Sequence, residues 1–210
     1  ALTREALAAL RHGRAAGLSR RTLLRRSLGA GATLWLTEVL IGSLGFLYPA
    51  ATSGFGSVIV LGTFDDVDAS PAVQGTSIRD GAPAYFQAAK TYVQLLDPSR
   101  GFTPGENPKG DGAATNVRTL YQRCTHLGCK PNFCTKNFWF ECPCHGSRYD
   151  RLGIKVAGLG PAPRGLDRFA SVVSPDGVLT VDTSKISLGP LPVALGQPGL
   201  IPPKSPTGCI

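Results

Sequence analysis

Two short segments concentrate the side chains in this sequence that could bind a metal. Each supplies two cysteines and one histidine, and twelve residues separate them. The first box is Cys124-Thr-His126-Leu-Gly-Cys129, and the second box is Cys142-Pro-Cys144-His145-Gly-Ser147-Arg-Tyr149-Asp150. Zinc is the general expectation for such ligands. A zinc ribbon, however, repeats Cys-x2-Cys, whereas each box spaces its ligands unequally. The boxes therefore predict a metal centre closed by two loops.

Short runs rich in β-branched and aromatic residues must carry these loops. Turn signals such as Ser174-Pro-Asp-Gly177 separate the runs, and that one predicts a tight hairpin. We expect strands at 57–61, 91–96, 117–122, 137–141, 169–174 and 178–182. Residues 98–115 are predicted to form a long polar loop, and outside the N-terminal part the body is expected to have little helix. The body is therefore predicted to be β structure.

The N-terminal part predicts a membrane anchor over residues 28–49. Residues 28–48 carry one formal charge, Glu38, before Pro49, and as a helix they would span about 31 Å, close to the ~30 Å hydrocarbon core of a bilayer. A cleaved signal peptide is the alternative, because Ala50-Ala-Thr is a weak candidate cleavage site. A further helix is possible over Thr3–Arg14.

Most of the net charge of +8 lies at the N terminus. Residues 1–27 hold seven arginines and one acid, a net +6, and the remaining residues hold 15 basic and 13 acidic side chains, a net +2. The nearly neutral body excludes a nucleic-acid-binding protein. The arginines predict a single-pass protein with a cytoplasmic N terminus and a periplasmic body in a bacterial cytoplasmic membrane. Ser19-Arg-Arg-Thr-Leu-Leu24 resembles a twin-arginine export signal, although membrane topology accounts for the same arginines.

The two boxes resemble those of the Rieske iron–sulfur proteins. C-T-H-L-G-C and C-P-C-H-G-S have the form seen in the Rieske subunit of cytochrome bc complexes. The match extends to Tyr149 and to a proline loop, Gly160-Pro161-Ala162-Pro163, and covers roughly residues 15–185. It implies an all-β Rieske domain, with an antiparallel base fold and a small cluster-binding β subdomain at about 118–163, behind one transmembrane helix.

The resemblance implies a [2Fe–2S] cluster as the cofactor. Two thiolates would hold one iron and two imidazoles the other: Cys124 with Cys142, and His126 with His145. A disulfide between Cys129 and Cys144 would tie the loops together. Replacing two thiolates by neutral imidazoles leaves the oxidised cluster uncharged and raises its reduction potential. Each imidazole keeps one nitrogen that can titrate, which couples the electron to a proton.

The resemblance also implies roles around the ligands. Ser147 would donate to a bridging sulfide and Tyr149 to a cysteine sulfur, and both bonds raise the potential. Leu127 would form the tip that docks on a partner, and His145 would hydrogen-bond a quinol.

These roles predict the iron–sulfur subunit of a quinol:cytochrome c oxidoreductase. It would take one electron from quinol, with proton release, and pass it to a c-type cytochrome. The expected partners are a cytochrome b subunit, a c-type cytochrome, quinol and the lipid bilayer, within a dimeric multi-subunit complex. The alternatives are a small Rieske subunit of an exported oxidoreductase of the arsenite oxidase type, or a zinc-binding membrane adaptor.

Two further cysteines lie outside the family pattern. Cys134 and Cys209 could form a second disulfide or remain free thiols.

We further expect a flexible hinge at 50–57, a Rieske domain at 58–186 and an extended, proline-rich C-terminal extension at 187–210.

Overall fold

The computed structural model describes residues 19–47, 54–194 and 208–209. The chain divides into two compact units, one up to Thr52 and one from Ser53 onward. The first unit is a helix in its described part, and the second, which we call the head, is built mainly of strands.

The N-terminal helix, α1, runs from Arg20–Leu47. It begins where the hydroxyl of Ser19 accepts the backbone N–H of Thr22 at 3.2 Å, a typical N-cap. Among the described residues it is the one helix long and apolar enough to cross a membrane, over Arg20–Gly45. The helix begins before the predicted anchor at 28–49, because arginine and leucine favour helix and the basic segment forms its first two turns. Thr3–Arg14 and Pro49 lie outside the described residues.

The described part of the head contains ten strands. These are β1 Val58–Gly62, β2 Ala84–Phe86, β3 Thr91–Leu95, β4 Gly105–Asn107, β5 Val117–Tyr121, β6 Asn132–Cys134, β7 Trp139–Glu141, β8 Arg148–Tyr149, β9 Arg168–Val173 and β10 Leu179–Ser187. A short helix, α2 Phe64–Asp68, and a turn of 3-10 helix, Ile78–Asp80, lie between β1 and β2. The prediction of an all-β body is confirmed.

The strands form two antiparallel sheets. The larger has the order β1-β10-β9-β5-β3-β2, with β4 paired to β9, and the smaller has the order β6-β7-β8. The smaller sheet and its loops form what we call the small subdomain, residues 122–163. This range begins a few residues after the predicted bound of about 118, because β5 pairs with β3 and β9 of the large sheet.

Strand β3 lies between the two hydrophobic cores of the head. All five of its residues are buried, and alternate side chains of a strand point to opposite faces. Val93 and Leu95 belong to the core of the large sheet, whereas Tyr92 belongs to the core shared with the small subdomain. The Tyr92 ring lies 4.8 Å from that of Phe140 in β7. One face of the large sheet is thus the platform for the metal-binding loops.

Each predicted run contains a strand, but several of the shortest strands were not predicted from the sequence. The predicted loop at 98–115 contains β4, which Asn107 holds in place: its amide donates to Val117 O and Ser171 Oγ, and its oxygen accepts the Gly112 N–H. A three-residue strand held by one polar side chain has no hydrophobic alternation to reveal it.

Strand β7 begins later than predicted. Phe138, within the predicted run at 137–141, has a φ of 57°, in the left-handed region that interrupts a strand. The aromatic residues that follow, Trp139 and Phe140, are fully buried, as expected for core packing.

The C-terminal half of the predicted hinge at 50–57 is attached to the head. Gly56 N–H donates to the hydroxyl of Thr183 in β10 at 2.7 Å, and Ser57 O accepts from the same hydroxyl at 2.8 Å. Gly56 has a φ of 96°, which explains a glycine at this position. The described residues from Gly54 onward therefore belong to the head, and a hinge would have to precede them.

Residues 188–193 of the C-terminal extension also pack on the head. Gly165 N–H donates to Pro190 O at 2.7 Å, and Val193 exchanges backbone hydrogen bonds with Lys155 and Ala157, both at 2.9 Å. Strand β10 continues to Ser187, so the extension begins after the predicted residue 187. These residues thus lie against residues 153–165 of the same head.

Phe55 supplies a test of this attachment. Its ring lies 5.4 Å from that of Tyr121 and 5.9 Å from that of Phe169. Phe55→Ala should lower the free energy of unfolding by about 1–2 kcal/mol, since it exposes part of this aromatic cluster. The measurement is urea unfolding of the full chain in mild detergent, followed by near-UV circular dichroism. Phe55→Leu, the matched control, should lose less; equal stability of all three proteins would contradict the attachment.

Candidate metal centre

The two boxes fold into loops with the same backbone hydrogen bonds. In the first, Cys124 O accepts from Gly128 N–H at 3.0 Å; in the second, Cys142 O accepts from Gly146 N–H at 3.0 Å. The N–H of each first cysteine donates to the carbonyl five residues later, Cys129 or Ser147. The glycines have φ of 86° and 70°, which a side chain would strain. The loops are therefore two copies of one turn, although the sequence shows no repeat.

The Cys129–Cys144 disulfide joins the loops, with the two Cα atoms 6.6 Å apart. The first loop follows β5 of the large sheet, and the second loop connects β7 with β8 of the small sheet. The disulfide thus has the pairing that the resemblance implied.

The structure brings the four candidate ligands together across the joined loops. Cys124 and Cys142 are 3% and 1% exposed and are the two free cysteines of the described residues. The rings of His126 and His145 meet edge-to-face, with centroids 4.7 Å apart. His145 is exposed and His126 half-buried, so the thiols lie inside the protein and the imidazoles near its surface.

One polar atom of this group lacks a protein partner. His126 Nδ1 is buried, and within the described residues nothing hydrogen-bonds to it. A buried nitrogen of this kind is costly unless something binds it, and a metal ion at Nδ1 would satisfy it. The donor set therefore fits a metal centre with two sulfur and two nitrogen ligands.

The buried thiols support the same conclusion. Burial raises the pKa of the Cys142 thiol, and the neighbouring Cys124 raises it further. The Cys142 thiol in this environment resists losing its proton unless a cation compensates the charge. A metal centre supplies that cation.

Tyr149 lies against one of these sulfurs. Its hydroxyl is 3.1 Å from Cys124 Sγ and 3.5 Å from Thr125 Oγ1. Thr125 uses its own proton to donate to Arg164 O at 2.7 Å. When Cys124 is a thiolate it has no proton to give, so Tyr149 must be the donor to the sulfur. Burial raises the pKa of the Tyr149 phenol, which keeps that proton in place.

Ser147 connects the second box to the proline loop. It is fully buried, and its Oγ accepts the Ala162 N–H at 3.1 Å. Its hydroxyl proton has no acceptor among the described residues and can be donated into the site. Gly160 lies so close to the Ser147 backbone that a Cβ would overlap it. Pro161 and Pro163 are exposed on either side of the buried Ala162.

Several residues that fix the site were not predicted. Arg151 donates to Leu95 O and Leu96 O at 2.7 and 2.6 Å, which ties the small subdomain to the large sheet. Asp150 closes the turn after the second box by accepting the N–H groups of Leu152 and Ile154, and burial raises its pKa to about 6. Both residues directly follow Tyr149 of the second-box motif, and this position was the sequence feature that could have identified them.

A second disulfide joins Cys134 of β6 to Cys209. Next to it, the buried carboxylate of Glu141 accepts the Cys209 N–H at 2.7 Å and the Asn137 amide at 3.1 Å. The end of the extension is thus held on the small subdomain by a covalent bond and a buried carboxylate, and Cys134 and Cys209 are not free thiols.

Comparisons with known proteins agree with this geometry. The Rieske [2Fe–2S] domain profile matches residues 88–170. A ubiquinol–cytochrome c reductase iron–sulfur subunit of Bradyrhizobium diazoefficiens is 31% identical over 155 residues, which are 69% of this chain and 84% of that protein. A cytochrome b6-f complex iron–sulfur subunit of a Synechococcus strain is 27% identical over 161 residues, 77% of this chain and 86% of that protein.

One solved structure is also similar. The soluble domain of Rieske protein II from Sulfolobus acidocaldarius has a TM-score of 0.41 and 20% identity, covering 72% of this chain and 89% of that chain.

The second disulfide should stabilise the head. It closes a loop with a sequence separation of 75 residues, against 15 for Cys129–Cys144, and chain entropy gives about 4 kcal/mol for the longer loop and about 3 kcal/mol for the shorter. Replacing both Cys134 and Cys209 by serine should therefore lower the free energy of unfolding by up to about 4 kcal/mol.

The measurement is non-reducing urea unfolding, with Thr135→Ala as a control beside the bond. Identical midpoints for the double variant and the unmodified chain would show that the bond contributes nothing to stability.

Proposed function

Because this chain belongs to the Rieske iron–sulfur family, we propose that it is the subunit of a bc-type complex that takes electrons from quinol and passes them to a c-type cytochrome. Relatives with these family features are named as subunits of ubiquinol–cytochrome c reductase and of the cytochrome b6-f complex. The [2Fe–2S] group that the family implies supplies a one-electron acceptor of raised potential.

One observation carries the proposal: the thiols of the site are buried while its imidazoles lie near the surface. We propose that Cys124 and Cys142 hold the inner iron, and that His126 and His145 hold the outer one. Electrons and protons of a bound quinol would then arrive on the imidazole side. A buried set of four ligands would not be accessible to such a substrate.

The imidazoles would also receive the proton. With Nδ1 of His126 bound to iron, its Nε2 is left to hold or release a proton. His145 is exposed and can accept a hydrogen bond from a quinol hydroxyl. The transfer of an electron and a proton to one place is what the oxidation of a quinol requires.

Leu127 would make contact with the quinol-binding subunit, which we propose to be a cytochrome b. Its side chain is 72% exposed, although it lies between His126 and the disulfide-bonded Cys129. The proposal rests on the exposure of this leucine directly beside the candidate ligand His126.

The membrane topology completes the proposal. Helix α1 would anchor the subunit with its arginines in the cytoplasm and the head on the periplasmic side. Disulfides, of which the head has two, form in such an oxidising compartment. A hinge before Gly54 would let the head move between cytochrome b and the c-type cytochrome in a dimeric complex. Export through the twin-arginine route stays a prediction.

The Tyr149 contact predicts a redox effect. Tyr149→Phe removes the proton donor at 3.1 Å from Cys124 Sγ, and this donor favours the electron-rich reduced state. The midpoint potential should fall by roughly 60 mV, a tenfold change for a one-electron couple. An EPR-monitored redox titration measures it, with Tyr85→Phe as a matched control. An unchanged midpoint would show that the hydroxyl does not stabilise the reduced site.

Leu127 allows a test of the proposed function itself. In the complex purified in mild detergent, Leu127→Asp should reduce quinol:cytochrome c turnover at least tenfold, about 1.4 kcal/mol, and leave the EPR signal intact. Leu191→Asp, at another exposed leucine (79%), should leave turnover unchanged.

Two results would overturn the proposal. One is full turnover in Leu127→Asp. The other is co-purification of the chain with a soluble oxidoreductase subunit and without b-type haem, which would favour the arsenite oxidase type of partner.

A further inference from the structure

Lys155 is a buried lysine between the second box and the proline loop. It is 1% exposed, and its Nζ donates to Val156 O and Leu159 O at 2.5 and 2.7 Å. Lysines are seldom buried to this degree without an acidic partner. Within the described ranges, no carboxylate forms an ion pair with it. Two carbonyl dipoles therefore hold an ammonium group that no carboxylate neutralises.

The two acids of the small subdomain have other partners. The Asp150 carboxylate accepts backbone N–H groups in its own turn. The Glu141 carboxylate accepts from Asn137 and Cys209. Neither of these two acids therefore forms an ion pair with Lys155.

Lys155 is close to the proposed ligands. Its backbone forms an antiparallel bridge with Tyr149, whose hydroxyl is 3.1 Å from Cys124 Sγ. Burial lowers the pKa of Lys155, and the negative charge of Cys124 opposes that shift. The ammonium group and the sulfur of Cys124 therefore attract each other.

The C-terminal extension is hydrogen-bonded to the backbone at this lysine. Val193 N–H donates to Lys155 O, and Ala157 N–H donates to Val193 O, so the extension runs beside the backbone of residues 155–157 as a short parallel bridge. A charge kept from water acts over a longer distance than a solvated one, because the surrounding dielectric is lower.

We propose that Lys155 is an electrostatic tuning residue: its buried ammonium stabilises the electron added to the [2Fe–2S] group and so raises the reduction potential. The charge acts through space, and no bond to the group is involved. The inference depends on Cys124 being a ligand, as proposed above, but not on the identity of the electron donor or acceptor.

The test is a redox titration of the full-length protein in mild detergent, read by EPR and by visible circular dichroism. Lys155→Met removes the charge with little change in volume, and Lys155→Gln retains one donor for the carbonyls. Both should shift the equilibrium about tenfold toward the oxidised form, or about 59 mV lower for one electron. Lys155→Arg, which keeps the charge, should stay near the unmodified midpoint. Lys109→Met removes an exposed charge and should have no effect.

Each other outcome overturns the inference. Unchanged midpoints in both neutral variants, with intact spectra, would show that the charge does not reach the group. Loss of the EPR signal in both neutral variants would assign Lys155 a purely structural role. An unmodified protein with no [2Fe–2S] signal would instead refute the proposed ligands, and with them the proposed function.

Discussion

The head is organised around the burial of two thiols that must lose their protons to work. A thiolate in an apolar core is costly, and burial already raises the pKa of Cys142. The surrounding structure reduces that cost in stages. The Tyr149 hydroxyl lies against one sulfur, and the backbone N–H groups of Cys144 and His145 lower the pKa of the other thiol, that of Cys142. A metal held by these ligands would supply the compensating positive charge. The two loops have the same turn conformation, and one disulfide joins them. Both sulfurs are therefore held in place together.

The rest of the head makes those loops rigid. Strand β3 faces a hydrophobic core on each side, so the large sheet is fixed against the small subdomain by packing. Arg151 adds charged hydrogen bonds across the same boundary. A site of this kind depends on its support, because ligands that shift relative to one another bind their group less tightly. The extension and its disulfide add a further attachment from the far side of the subdomain.

Charge is distributed in the head more unevenly than the near-neutral total suggests. Residues 118–163 hold seven basic side chains and two acidic ones, whereas the other residues from 28 to 210 hold eight basic and eleven acidic ones. The two acids of the small subdomain, Glu141 and Asp150, are both buried. An average over the body conceals this separation, and with it the positive environment of the proposed cluster.

The spacing of residues in the boxes predicted a metal centre, the family resemblance that the boxes carry implied its disulfide, and the β-rich runs predicted its β-sheet support. Such features depend on residues that are near one another in the chain: cysteine and histidine ligands, glycine turns and alternating strands. They can therefore be predicted from the sequence. Tertiary structure alone decided the burial of Lys155, the contact of Glu141 with Cys209, the strand at Asn107 and the course of the extension. Each depends on residues distant in the chain, such as Val193 beside Lys155 and Cys209 beside Glu141. Burial and dielectric arise only when such segments meet, so the sequence could supply the ligands but not the electrostatic environment in which they work.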